Sequence, residues 1–308
     1  MNSPENGSTA VWTEGLVKRF GREVALDGVS LSVPEGGVYL LAGTNGAGKS
    51  TLLRTLLNAE QPDGGRACVL GLDTAHDGPA VRAQCGYVPE TGEGAYRWLR
   101  ADRFLAHIAR FYPGWDNGYA TQIVKRLGVR LDRPLGTLSK GQARRVQIVA
   151  ALAHRPRLLL LDELTDGLDP LVRFEALSLL AAHLADTGAT AILSTHLVGE
   201  VDTLVDHVGV LRAGKLVAQR PLVELMARLR RYQVDAPEDW APPASISAAI
   251  LRRDPSMGRS LRLVAAGQER DLASAIDASG ATVRETSAVS LTDAVPILLQ
   301  SENSHVFA

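Results

Sequence analysis

The 308-residue sequence contains only two cysteines, Cys68 and Cys85. Both lie in apolar stretches, which reads as reduced, buried thiols of a cytosolic protein. No apolar run approaches the roughly 20 residues that cross a bilayer. Any membrane role is therefore expected to run through a partner. The opening residues, MNSPENGSTA, are polar and hold no apolar signal-peptide core. Charge of neither sign is in excess: the formal net charge is -1, which argues against wholesale neutralisation of a nucleic acid backbone. Internal repeats, low-complexity tracts and sustained heptads are absent as well. What is present is 45% hydrophobic and 22% charged residues, the profile of a soluble globular protein. Such a length buries a large core without staples, and at about 150 residues per domain it suggests two domains.

Residues 1–10, rich in Ser, Asn, Gly and Pro, are expected to form a flexible tail. From Val11 the pattern alternates apolar strands with amphipathic helices. Short continuous apolar runs at 38–42, 158–161 and 190–193 are expected to be strands buried on both faces. Helical periodicity covers 49–57, 101–111, 142–153 and 171–185. Such alternation predicts an α/β core around a mainly parallel sheet. The stretch 91–150 reads mostly helical and is expected to be an inserted subdomain within a core spanning 11–230. Residues 236–243, APEDWAPP, read as a Pro-rich connector. Beyond it a small accessory domain, 236–308, is expected, with a strand near 261–265 and a helix near 271–279.

The strongest motif is Gly43-Thr44-Asn45-Gly46-Ala47-Gly48-Lys49-Ser50, followed by Thr51. It fits G-x-x-x-x-G-K-[ST] between a predicted buried strand and a predicted helix, the context that confirms such a match. Glycines let successive N–H groups point at phosphate oxygens. The helix N-terminus adds partial positive charge. Lys49 is a point charge for β- and γ-phosphates, and the Ser50 hydroxyl suits Mg²⁺. A second constellation closes an apolar strand: Asp162-Glu163. Neighbouring strand residues point to opposite faces, so the two carboxylates have different tasks. Asp162 suits Mg²⁺, and Glu163 suits orienting and polarising a water.

Further segments carry a family resemblance. Leu138-Ser139-Lys140-Gly141-Gln142 resembles the signature of ATP-binding-cassette (ABC) proteins, usually LSGGQ, with Ser139 a good helix N-cap. Ser194-Thr195-His196 resembles their switch histidine, Gly167-Leu168-Asp169-Pro170 their D-loop, and Tyr87-Val88-Pro89-Glu90 stands in the place of their Q-loop. Phe20 matches the aromatic on which adenine stacks, by base–aromatic stacking. The motifs occur in family order over residues 11–220. Within the family, Glu90, Lys140, the Phe111-Tyr112-Pro113-Gly114-Trp115-Asp116 run and the C-terminal extension resemble the ATPases of bacterial ABC-2-type exporters. Leu164 stands where Pro is usual, Thr44 replaces a common Pro, and Gly37 replaces the usual Glu.

The resemblance implies a P-loop, RecA-like α/β ABC ATPase core with an inserted α-helical subdomain and a small α+β C-terminal extension. It implies ATP and Mg²⁺ as ligands, with Lys49, Glu163 and His196 catalytic. Phe20, Gly43, Asn45, Gly46, Ala47, Gly48, Lys49, Ser50, Thr51 and Glu90 would bind nucleotide, and Ser50, Asp162 and Glu90 the metal. Ser139, Gly141, Gln142 and Asp169 would complete the site of a second cassette in a head-to-tail dimer, expected to be a homodimer. A multi-span permease at the cytoplasmic face of the membrane is the expected partner. Tyr96, Trp98, Leu99 and Phe104 are candidates for contacting it, Trp98 first. No direct nucleic acid contact is expected. The alternative is a soluble ABC ATPase acting on nucleic acid or the ribosome. The extension, lacking nucleotide motifs, is expected to regulate or dock, or else only to stabilise the dimer, and in either case deletion after Arg231 is expected to leave ATP binding intact.

Overall fold

The computed structural model describes residues 9–91, 94–255 and 260–301. Strands β1 (Thr9–Phe20) and β2 (Glu23–Pro34) come first, β3 (Val38–Gly43) runs into helix α1 (Lys49–Leu56), and β4 (Gly64–Val69), β5 (Leu72–Asp73), α2 (Gly78–Gln84) and β6 (Cys85–Val88) follow. Next are α3 (Ala101–Ala109), α4 (Asn117–Leu127) and α5 (Lys140–Leu152), then β7 (Leu158–Asp162), α6 (Pro170–Thr187), β8 (Thr190–Ser194), β9 (His207–Arg212), β10 (Lys215–Pro221) and α7 (Leu222–Arg228). The remainder carries β11 (Leu229–Asp235), α8 (Ala244–Ser247), β12 (Ile250–Pro255), β13 (Ser260–Ala266), α9 (Glu269–Ala278), β14 (Thr282–Ala288) and α10 (Leu291–Gln300).

The three continuous apolar runs became β3, β7 and β8, and every residue in them is buried. They lie in a six-stranded sheet ordered β10-β9-β3-β8-β7-β6. Its strands are parallel except for the antiparallel edge strand β10. A parallel sheet needs cover on both faces. On one side, Ile123 and Leu127 of α4 and Val149 and Leu152 of α5 share a buried cluster with Leu159 and Leu161 of β7. On the other, Leu52, Leu53 and Leu56 of α1 pack with Leu158 and Leu160 and with the inner face of a second, antiparallel sheet. That sheet is ordered β2-β1-β4-β5 and corrects the expected strand–helix alternation from Val11. The expected tail is also shorter than 1–10: Thr9 and Ala10 already belong to β1, and Ala10 is fully buried. Residues 1–8 lie outside the described residues. Cys85 is buried, which pushes its thiol up to about 12, but Cys68 is only half-buried.

The C-terminal extension is α+β, with sheet order β12-β13-β11-β14 and the chain order β-α-β-β-α-β of a ferredoxin-like unit. Its first strand begins at Leu229, so the expected start at residue 236 moves upstream. The expected connector is not a spacer. Ala236 and Trp240 are buried with Tyr232 and Ile276, and the Trp240 indole N–H donates to Ser279 Oγ at 2.9 Å.

The last helix, α10, returns to the parallel sheet. Leu291, Ala294, Val295, Ile297 and Leu298 join the main core beside Val198, Val201, Val205 and Val208. The Arg212 guanidinium holds the chain there, donating to the carbonyls of Leu299 at 3.2 Å and Ser301 at 2.7 Å. This packing bears on the truncation after Arg231, which removes α10 from the main core. Burying one large aliphatic side chain contributes about 1.5–3 kcal/mol, and a whole domain is stable by about 5–15 kcal/mol. Loss of the four large ones, Leu291, Val295, Ile297 and Leu298, is comparable with that total. The truncated chain is expected to be insoluble or to lose its cooperative melting transition. Circular dichroism melting checks this, and a truncation that melts within a few degrees of the full chain would show α10 to be dispensable.

Candidate functional site

At the C-terminal edge of the parallel sheet, strand ends meet loops in the position where α/β folds hold ligands. The loop from Gly43 to Gly48 leaves β3 and enters α1, whose first turn has no side-chain cap. Its N–H groups are therefore available to an anion. The glycines are required by close approach. A Cβ on Gly43 would lie 2.6 Å from the Leu211 carbonyl oxygen, and one on Gly48, at φ 104°, 2.3 Å from that of Ala25. Beside the loop is a cleft of about 410 Å³. It is lined by Asn45, Gly46, Ala47, Gly48, Lys49, Ser50 and Thr51 of the loop and α1, by Phe20, Glu23 and Ala25, and by Glu90, Asp162 and Glu163. Lys49 is buried, and its ammonium donates to the carbonyls of Gly43 at 2.9 Å and Thr44 at 3.1 Å. Ser50 Oγ donates to Glu90 Oε2 at 3.3 Å. Phe20 ends β1 with 41% of its surface exposed, and the Lys18 ammonium stands 5.2 Å from its ring centre.

The carboxylates on the opposite wall have contrasting surroundings. Asp162, the last residue of β7, is 1% exposed, and neither of its carboxylate oxygens accepts a hydrogen bond from any described residue. A buried carboxylate without partners is costly unless something positive joins it. With the Ser50 hydroxyl and Glu90 nearby, this all-oxygen donor set suits Mg²⁺. Glu163 takes a left-handed backbone, φ 51°, uncommon for a residue with a side chain. Its Oε2 lies 2.9 Å from Nδ1 of His196 and accepts from Thr195 Oγ1 at 3.2 Å. The structure thus brings His196 to Glu163 at the end of β8. Leu164, in place of the usual Pro, is buried in the main core.

Six expected site residues do not line the cleft: Gly43 at the start of the loop, His196 beside Glu163, and Ser139, Gly141, Gln142 and Asp169. Ser139 caps α5, accepting from the Gln142 N–H at 3.3 Å, and Gln142 Oε1 accepts from the Arg130 N–H at 3.2 Å. A Cβ on Gly141 would stand 2.4 Å from the Gly167 carbonyl oxygen, so the two loops lie in contact. The Lys140 ammonium sits 2.5 Å from Asp166 and, by that hydrogen bond above all, holds its carboxyl below the usual range. Asp169 caps α6, accepting from the Val172 N–H at 3.1 Å, and pairs with Arg145 at 2.9 Å. Its side chain therefore has a structural task within its own chain.

Sequence reasoning missed Glu23 and Ala25, which β2 brings to the cleft, and it missed Arg144. A signal for Arg144 existed: it stands three residues after Gly141 and four before Ile148, on the buried stripe of α5.

A separate groove of about 570 Å³ runs between the helical layer and the sheet, with Pro89, Tyr96, Phe104, Leu138, Ala143 and Val146 among its lining. Tyr96 and Phe104 thus face it. Trp98, 75% exposed, does not line it but follows the lining residue Arg97.

The family described as ABC transporter matches residues 26–166. The daunorubicin/doxorubicin resistance ATP-binding protein DrrA of Streptomyces peucetius is 36% identical over 237 residues, 71% of this chain and 68% of that protein. The Nod factor export ATP-binding protein I of Ralstonia nicotianae is 34% identical over 233 residues, 72% and 71% of the two chains. Among solved structures, an ATP-binding subunit of an ABC transporter aligns with TM-score 0.64 and 27% identity, covering 70% of this chain and 92% of that one.

Proposed function

The chain belongs to the ABC transporter family, and from that premise we infer that it is the ATP-binding and ATP-hydrolysing subunit that powers an exporter. The observation that carries the ATPase assignment is the buried, unpartnered Asp162 facing an open phosphate cradle. Export follows from relatives named for drug resistance and for export. No observation favours the alternative, action on nucleic acid or the ribosome.

The chain's own residues divide the work. Phe20 offers its exposed ring to the adenine. N–H groups of the loop and of the first turn of α1 receive the phosphates. Lys49 exchanges its two carbonyl partners for β- and γ-phosphate oxygens, so the cradle needs no reorganisation of charge when ATP arrives. Ser50, Asp162 and Glu90 would hold Mg²⁺, which when bound neutralises charge on the β- and γ-phosphates. Glu163 orients the attacking water, and His196, braced on Glu163, contacts the γ-phosphate.

One chain has one cradle, and its own signature lies outside it. We assign Ser139 and Gly141 to the γ-phosphate of ATP held by a second copy, with Gln142 and Asp169 shaping the loops that meet it. ATP then closes the homodimer and hydrolysis releases it, a population shift driven by the nucleotide.

No described helix is long and apolar enough to cross a membrane. Force therefore passes to a multi-span permease, with this subunit bound peripherally at the cytoplasmic face. Phe104 and Tyr96 in the groove, with Trp98 beside them, are the assigned contacts, and buried aromatics commonly anchor interfaces. The test is affinity purification from detergent-solubilised membranes. A multi-span protein should accompany the unmutated chain. Trp98→Glu should weaken that association roughly tenfold, as loss of an interface anchor does, while ATPase activity of the free subunit is retained. Unchanged association would move the docking surface elsewhere. Failure of any membrane protein to accompany the unmutated chain would sink the exporter reading.

A further inference from the structure

Arg144 lies outside every motif, yet it is 2% exposed and its guanidinium reaches two strand ends at once. From α5 its Nη1 donates to the carbonyl of Pro89 and, at 3.4 Å, to that of Asp162, and its Nη2 donates to the carbonyl of Glu90 at 2.7 Å. Pro89 and Glu90 follow β6, and Asp162 ends β7. Burial pushes the Arg144 pKa down, and the carboxylates of Asp166, Asp162, Glu163 and Glu90 act against that fall. A buried cation in this position both occupies backbone acceptors and balances a site crowded with acids.

Two of the acceptors belong to residues whose side chains serve the cleft. The Glu90 carbonyl is held by Arg144 while its carboxylate takes the Ser50 hydroxyl. The Asp162 carbonyl is reached by the same guanidinium while both its carboxylate oxygens are left without a described partner. One planar, rigid fork therefore sets the spacing of two strand ends, a task that the single point charge of lysine does not reproduce. Pro89 also lines the groove, so this contact joins the helical layer to the cleft.

We propose that Arg144 is a positioning residue for the divalent cation of the nucleotide site: by clamping the carbonyls of Pro89, Glu90 and Asp162 it presents the Glu90 and Asp162 carboxylates to the metal beside Ser50. This rests on the nucleotide site assigned above. Residues that orient metal ligands typically change metal affinity about 10–100-fold when removed, and that is the effect expected here.

The experiment uses the full-length protein with Arg144→Gln and Arg144→Lys. Binding of a trinitrophenyl-ATP fluorophore is measured first in EDTA and then across a Mg²⁺ titration, with no turnover readout. In Arg144→Gln, affinity in EDTA should stay within about threefold of the unmutated chain, while the Mg²⁺ needed for half-maximal tightening rises at least about tenfold. Arg144→Lys should fall between them, since it keeps the charge but not the fork. Amide exchange at Glu90 and Thr91 should accelerate by a similar factor in Arg144→Gln. A Mg²⁺ requirement within twofold of the unmutated chain overturns the proposal. So does an equal loss of affinity in EDTA, which would mark a general packing role. If Arg144→Gln does not fold, Arg144→Lys decides: a Mg²⁺ requirement raised severalfold supports the proposal, and an unchanged one overturns it. If the unmutated chain binds the nucleotide with no response to Mg²⁺, the metal site itself fails and the proposal with it.

Discussion

Lys49→Ala is expected to lower ATP turnover at least about 100-fold, the scale of losing one preorganised electrostatic contact to a transition state. The ammonium is buried at the mouth of the loop and, among the described residues, is engaged by the carbonyls of Gly43 and Thr44. Those two bonds hold it ready between β3 and α1. Phosphate oxygens are better partners than neutral carbonyls, because they add the attraction of opposite full charges to the hydrogen bond. The exchange therefore favours bound ATP, and it favours still more the developing charge on the γ-phosphoryl group. Lys49 itself lines the cleft, so in the alanine variant water can take the place of its ammonium beside the two carbonyls, and the fold should survive. Phosphate release at saturating Mg²⁺ and ATP, with a melting curve as control, decides the matter. A folded Lys49→Ala chain with turnover near that of the unmutated one would remove Lys49 from the site.

Much of this site was legible because its parts are local. A buried strand, a glycine loop and a helix follow one another within residues 38–56, and β7 ends in Asp162, with Glu163 next. Continuous apolar runs mark strands covered on both faces, so β3, β7 and β8 stood out. The β1–β2 pair did not, because its register shifts between Thr13 and Leu16, again between Leu16 and Val17, and elsewhere. Such irregularities break the period-2 pattern that a half-buried strand otherwise shows. The Pro-rich segment at 236–243 read as a connector because proline composition reports backbone restriction and says nothing of Trp240 burying itself against Ser279 and Ile276. The return of α10 to β9 was invisible because the two are about 80 residues apart and α10 carries no nucleotide motif. Ser139 and Gly141 were found by family resemblance, whereas the contact of Gly141 with Gly167 needed coordinates. Arg144 was passed over because an arginine on a helix ordinarily reads as solvated. Its place on the buried stripe of α5 marks it as buried, and the convergence of three backbone carbonyls on it shows its task.

Glu163→Gln is the variant expected to separate binding from chemistry most cleanly. The carboxylate is buried at the junction of β7 and β8, with Oε2 accepting from Thr195 and facing His196 at 2.9 Å. Glutamine has the same length and keeps one carbonyl oxygen that can take over the place of Oε2, so the loop and the strained backbone at Glu163 should hold. What is lost is the negative charge that draws a proton from the attacking water, and removing such a group typically costs about 10²–10⁴-fold in turnover. ATP affinity should not suffer. Glu23, Glu90, Asp162 and Glu163 line a cleft meant for a polyanion, and deleting one of four like charges eases that repulsion. A chain that binds ATP but does not cleave it retains the γ-phosphate on which two copies are proposed to close. The expected result is therefore a persistent dimer in ATP and Mg²⁺, reverting to monomer in ADP, read as mass by size-exclusion chromatography with light scattering. Turnover above a tenth of the unmutated rate would remove Glu163 from the chemistry. A monomer in ATP, at protein and nucleotide concentrations far above the binding constant, would count against shared sites and leave Ser139 and Gly141 without their assigned task.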